Sequence, residues 1–364
     1  MNNSTSGISS SQQKIPISSA RHDWIDLLRF VSVFGIIMIH VSAICWYDYP
    51  KTSLTWKWLN FYNGLNRFCL PCLVMISGAL LLSPKKKFDA SELWRKRILR
   101  ILIAWVIWSF VYASLDLAKF LLTSDRSHLN DFIRAMLRGH FHLWYLAMLI
   151  GLYVSLPILR PIAADRKLLR YFLLLSFIVS SVIPSAGAFF SHLPFEEWSG
   201  RFQLFLPFGY AFYFMLGYYL YSAEISRSQL SILLISAVLS LAAIITGTYY
   251  GNLKTPGIGE MLYQNLHVFG ALSAAGVFAF SRCVIGTHRF PPFILRFFSH
   301  ASRYSFGIYL VHEFVSILLP HIGITVPAGP VVLTVPAITV LVYLISSLFT
   351  SLLHRIPVVN RYMV

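Results

Sequence analysis

Long runs without Asp, Glu, Lys or Arg recur along this chain, separated by short connections that hold most of its charge. The uncharged runs cover 30–47, 68–84, 139–159, 171–195, 202–223, 228–253, 261–281 and 314–354. A membrane-crossing helix needs about 20 mostly apolar residues, and in hydrocarbon only a helix or a closed barrel satisfies every backbone group. The repeated windows therefore predict an all-α fold, a polytopic transmembrane helical bundle. Breakers between the windows divide it into ten spans near 24–46, 61–83, 99–122, 142–160, 169–187, 203–222, 229–250, 262–281, 302–320 and 330–354. The last uncharged run splits in two because Pro320, Pro327 and Pro330, with glycines between them, mark a turn. The membrane domain is expected over 23–356. A Ser-rich polar tail precedes it at 1–22 and a short tail follows at 357–364. The tail at 1–22 lacks the apolar core and cleavage site of a signal peptide. No internal repeat is visible, which counts against the inverted-repeat transporter folds.

Charge changes the picture by supplying an orientation. Lys and Arg number 20 in the tail, the connections 85–100, 160–170 and 282–303, the loop with Arg227, and the C-terminus, against 7 in the opposite set. The positive-inside bias then places both termini in the cytoplasm. The formal charge of +16 is for the most part this topology signal, so no nucleic-acid partner is expected. Composition agrees: 57% of residues are hydrophobic and 12% charged, about half the roughly 25% of a soluble domain. The four cysteines lie in or beside apolar segments, which argues against a disulfide framework.

Against this background, ionisable side chains inside the spans become the candidates for function, because desolvation makes them costly to keep. LLRFVSVFGIIMIH, residues 27–40, carries Arg29 and His40. Eleven residues are three helical turns plus roughly 20°, so the two share a face about 16 Å apart along the axis. Asp26 is one turn before Arg29 and can pair with it. A buried neutral histidine suits proton abstraction from a hydroxyl. Guanidinium forks suit phosphate.

Further motifs follow in order. LPCLVMISGALL contains Ser77 and Gly78; RILR runs from Arg97 to Arg100; HLWYL contains His142, Trp144 and Tyr145; FMLG begins at Phe214; SFGIYLVHEF contains Tyr309 and His312. Together with Arg29-x10-His40, this set resembles the acyltransferase-3 family of integral membrane acyltransferases, and within it the common-antigen O-acetyltransferase type. Leu73 and Val74 stand where the family often has two aromatics, so packing around Ser77 is expected to differ. The chain ends soon after its last span, so the membrane part is expected to act without an appended extracytoplasmic domain.

The resemblance implies a membrane-embedded O-acyltransferase of the bacterial inner membrane. It would move an acetyl group from acetyl-CoA to a hydroxyl of a cell-surface or lipid-linked glycan. His40 is then the general base, with an acetyl-histidine intermediate as a variant. Arg29, Arg97 and Arg100 hold the donor's phosphates, although Arg97 and Arg100 also suit positive-inside anchoring. Arg67 either contacts the acceptor or snorkels. His142, Trp144 and Tyr145 either stack on the acceptor sugar or belong to an interface belt. Ser77 is either an oxyanion donor or part of close helix packing. Tyr309 and His312 share a face, His312 as a hydrogen-bond partner. His140 and His142 lack a clear third ligand, so no metal is expected. The competing class is a polysaccharide or lipid transporter that performs no bond chemistry.

Overall fold

A computed structural model describes residues 23–85, 87–123, 126–189, 209–254, 258–357 and 359, and among these no strand is present. The expected tail 1–22, most of the expected tail 357–364 and the expected start of the sixth span lie outside the described residues. Among the described residues, eight segments are long and apolar enough to cross a membrane, and a bent pair around Ser155 makes nine. The sixth expected span appears as Ala211–Ser222, following undescribed residues.

The first span is α1 (Asp23–Ala43). The second is α2 (Leu54–Leu65) followed by α3 (Cys69–Leu81). It starts seven residues before the expected boundary because Ser53 caps it, accepting from the Trp56 N–H at 3.1 Å. The third also starts early. Asp89 accepts from the N–H groups of Ser91 and Glu92, and a π-helical segment, Leu93–Ile98, leads into α4 (Leu99–Thr123). Arg97 therefore lies in a widened helical turn. An added helix, α5 (Arg126–Arg138), stands where only a loop was expected. Gly139, at φ +75°, ends it in the left-handed conformation that glycine adopts without a Cβ penalty.

The fourth span breaks into α6 (Trp144–Val154) and α7 (Leu156–Ala164), with a bend of 61°. Pro157 lies at the start of the second piece, where its missing N–H disturbs no helical bond. The chain continues through α8 (Arg166–Phe177), a π-helical segment and α9 (Ile183–Phe189). Then follow α10 (Ala211–Ser222), α11 (Arg227–Lys254), α12 (Val268–Cys283), α13 (Pro292–Leu318) and α14 (Val331–Leu353).

The largest boundary shift concerns α13. Its apolar part was expected over 302–320, yet the helix begins at Pro292 and carries Arg296, His300 and Arg303. Pro291-Pro292 starts a helix well because proline is pre-set for the first helical position. Three residues expected in a cytoplasmic loop thus project from a rigid element.

Two elements meet with their backbones nearly in contact. A Cβ added to Gly78 on α3 would lie 1.8 Å from the Phe214 carbonyl oxygen on α10, and one on Gly217 would lie 2.1 Å from that of Met75. This is small-residue packing of the kind membrane helices use where burial supplies little attraction between them. Beyond the C-terminal end of α1, Glu260 accepts from Trp46 Nε1 (2.7 Å) and the Tyr47 hydroxyl (3.1 Å), tying the loop after α1 to the turn before α12. Lys51 stands over the rings of Trp46, Tyr47 and Trp56. Partial burial there pulls its ammonium below the ordinary lysine value, opposed by the charge of Glu260.

Candidate active site

Helix α13 runs beside α1 in the same direction, and the two candidate residues of α1 both meet it. Arg29 donates to the Ser302 hydroxyl at 2.5 Å and lies 3.7 Å from Asp26. Eleven residues later, His40 stands against His312, with ring centroids 5.3 Å apart. Ten residues separate Ser302 from His312, so the helices keep register between the contacts. Below, Phe30 packs on Phe297 and Phe298 at 5.4 and 5.5 Å. The shared face expected from the α1 spacing is the face turned toward α13.

Around His40 the fold gathers a histidine cluster from distant parts of the chain. His140 and His142 bring their Nδ1 atoms to 2.8 Å. The His142 ring lies 5.3 Å from His312, and Phe141 lies 5.3 Å from His40. Tyr309 donates its hydroxyl to the His142 carbonyl at 2.5 Å, and His312 Nδ1 lies 2.6 Å from the Tyr309 carbonyl oxygen. The Nε2 atoms of both His142 and His312 are buried without a hydrogen-bond partner. Such atoms are costly to strand unless a substrate or water engages them. Among the described residues no group of three or more His, Cys, Asp or Glu side chains is arranged to hold a metal.

Arg67 turns inward. Its guanidinium donates to the Tyr263 carbonyl at 3.1 Å and to Asn63 Oδ1, and sits 3.9 Å from the centroid of the Tyr263 ring. It stands within electrostatic range of His40, as do His140 and His312. Tyr145 packs on Tyr309 at 5.2 Å and lies within range of Arg29 and Tyr153. Tyr153, not singled out from the sequence, reaches the Ser77 hydroxyl and lies within range of Arg29 and Arg97. Ser77 itself donates to the Leu73 carbonyl at 3.1 Å. A chain of polar groups thus links Arg29, through Tyr153, Tyr145 and Tyr309, to the histidines.

Not every candidate joins it. Trp144 is 41% exposed and packs on Tyr210 at 5.4 Å, about 100° around its helix from the buried Tyr145. Arg97 is exposed, and Arg100 lies 5.7 Å from the centroid of the Phe306 ring. Glu313 was not among the candidates. Its enclosed Oε2 has no partner, and its carboxylate lies within range of Tyr112 and Tyr309. Tyr112 was also missed. It donates to the Leu310 carbonyl at 2.8 Å, accepts from the Phe314 N–H at 3.0 Å, and stacks on His140 at 4.3 Å. Tyr112 belongs to none of the motifs read from the sequence, so nothing there announces it.

At the other end of the α1–α13 seam, Asp26, Arg29 and Ser302 line a cleft of about 490 Å³ together with Arg296, His300 and Arg303. The sequence signal for it was the spacing 296, 300 and 303, which puts all three on one helical face.

The Tyr309 hydroxyl gives a direct test of how the cluster is held. Tyr309→Phe removes one buried donor and leaves the His142 carbonyl without it, at an expected cost of about 1–3 kcal/mol. Denaturant unfolding of the protein in lipid nanodiscs measures this. Wild-type stability in the variant would show that the bond does not hold the turn.

These features define a multi-pass helical membrane protein in which His40, Arg67, His142 and His312 are brought together within the bundle. The family model described as "Acyltransferase domain", that of acyltransferase-3, matches residues 22–354. The chain belongs to that family. It is a membrane acyltransferase, using an acyl donor and an acceptor, which decides for bond chemistry over transport. No curated protein and no solved structure matches the chain.

Proposed function

We propose that this protein transfers an acetyl group from acetyl-CoA to a hydroxyl of a cell-surface or lipid-linked glycan in a bacterial cytoplasmic membrane, with both termini in the cytoplasm. The observation that carries this reading is the α1–α13 seam. One helix pair presents a guanidinium at Ser302 and, roughly 16 Å further along the axis, an imidazole at His312. A phosphorylated donor needs a cationic anchor, and its long flexible arm needs a base at the far end.

In the reaction, His40 takes the proton of the acceptor hydroxyl as its oxygen attacks the thioester carbonyl carbon. The new C–O bond forms, the carbonyl oxygen becomes an oxyanion, and its collapse breaks the C–S bond. The leaving thiolate then receives the proton from the His40 imidazolium, so the histidine returns neutral. Arg67, a cation within electrostatic range of His40, suits stabilisation of the oxyanion. The unpaired Nε2 atoms of His142 and His312 suit binding of the acceptor hydroxyl or positioning of the base. Apolar surroundings strengthen each of these interactions by excluding water.

Purified protein in nanodiscs is expected to release free thiol from acetyl-CoA only when a glycan acceptor is present. Mass spectrometry of envelope glycans from cells with and without the protein should show the matching acetyl increment. Glycans identical in both, with no acceptor-dependent thiol release, would sink the reading.

A further inference from the structure

We infer that the cleft between the starts of α1 and α13 binds the phosphorylated nucleotide end of a coenzyme A-type donor, with Arg296 and Arg303 holding its phosphates alongside Arg29. This rests on the acyl-CoA reading above and names the part of the site that would recognise the donor.

Size comes first. A cavity of about 490 Å³ falls within the range that takes cofactor-sized ligands, roughly 300–1,000 Å³. Charge comes second. Three guanidinium groups and the His300 ring line it against one carboxylate, Asp26, which is already engaged 3.7 Å from Arg29. The cleft therefore keeps an excess of two positive charges, with histidine counted neutral. Guanidinium forks match phosphate oxygens in planar, paired geometry. Hydroxyls of Ser299 and Ser302 add neutral donors.

Position comes third. Arg296 and Arg303 are seven residues apart on α13, two turns on one face, and Arg29 meets that face at Ser302. The cleft therefore opens onto the same seam that leads from Arg29 to His40. A nucleotide seated there leaves its thioester arm directed along α1 toward the base. Arg97 and Arg100, expected from the sequence to hold the phosphates, do not line the cleft.

Two sources could supply a phosphate here, the free donor or an anionic lipid headgroup, and the test separates them. Equilibrium binding to the full chain in nanodiscs of neutral lipid is measured for coenzyme A and for its form lacking the 3′-phosphate. Wild-type protein is expected to bind coenzyme A roughly 10- to 100-fold more tightly, as one lost charge-assisted contact implies. The double variant Arg296→Gln/Arg303→Gln should lose that preference and raise the KM for acetyl-CoA by a similar factor, with kcat at saturation within about twofold. Removing two exposed charges elsewhere on the same side, Arg166→Gln/Arg170→Gln, should leave binding unchanged, which separates a built site from general attraction. Equal affinity for both ligands in wild-type protein would overturn the inference, as would coenzyme A binding unaltered in the Arg296/Arg303 variant. Binding abolished when phosphatidylglycerol replaces the neutral lipid would overturn it too, by assigning the cleft to a headgroup. These outcomes are distinct from failure of the acyl-transfer reading, in which wild-type protein would bind coenzyme A and still release no acceptor-dependent thiol.

Discussion

His40→Asn is expected to lower the turnover number for acyl transfer by roughly 10²- to 10⁴-fold, the range general-base catalysis supplies. Asparagine keeps the approximate size and a hydrogen-bonding amide but cannot take a proton. The ring it replaces packs against His312 and Phe141, both at 5.3 Å, so the neighbours have little reason to rearrange. The donor-binding end of the seam lies about three turns away, so the dissociation constant for coenzyme A should stay near the wild-type value. Stopped assays of thiol release, run beside binding in the same nanodisc preparation, separate the two quantities. Turnover within threefold of wild type would remove His40 from the mechanism. A covalent acetyl adduct trapped on His40 of the wild-type protein would instead assign it as a nucleophile.

The second large effect is on the fold. Gly78→Val places side-chain atoms where the Phe214 main-chain oxygen already stands, 1.8 Å from the position of the Cβ. A flexible side chain could move aside, but a helix backbone cannot without separating α3 from α10. The reciprocal contact, Gly217 against the Met75 oxygen, would open with it. Overpacking ordinarily costs about 1–3 kcal/mol, and a clash with main chain belongs at or beyond that upper end. The expected result is loss of the monodisperse detergent-extracted species in size-exclusion chromatography. Gly151→Ala makes the contrast, because a Cβ there meets nothing within 4 Å and alanine favours the helix. If Gly78→Val extracts as well as Gly151→Ala, the close crossing of α3 and α10 is wrong.

Gly78 also shows what a motif conceals. Ser77-Gly78 was compatible with an oxyanion donor or with helix packing, and the packing falls to Gly78. Gly78 makes the crossing, while Ser77 donates to its own helix and meets Tyr153. Spacing along one helix cannot show which neighbour lies opposite.

The all-α membrane architecture was legible in the sequence because the requirement behind it is local. Every apolar window of sufficient length must satisfy its own backbone in lipid, so the chain declares its spans without reference to a partner. The pairing of Arg29 with His40 on one face was legible for the same reason, since helical geometry alone sets it. Boundaries were less so. Capping by Ser53 and Asp89 and initiation at Pro292 extended helices into segments whose polarity suggested loops. Only the tertiary structure decided what those faces meet: α13 beside α1, His142 and Tyr112 carried to His312 and His140, and Arg296 and Arg303 brought to Arg29. Apart from Tyr112 and His140, which lie on neighbouring elements, these contacts join residues more than a hundred positions apart. They depend on how helices pack across the bundle, a relation that no periodicity within a single helix contains.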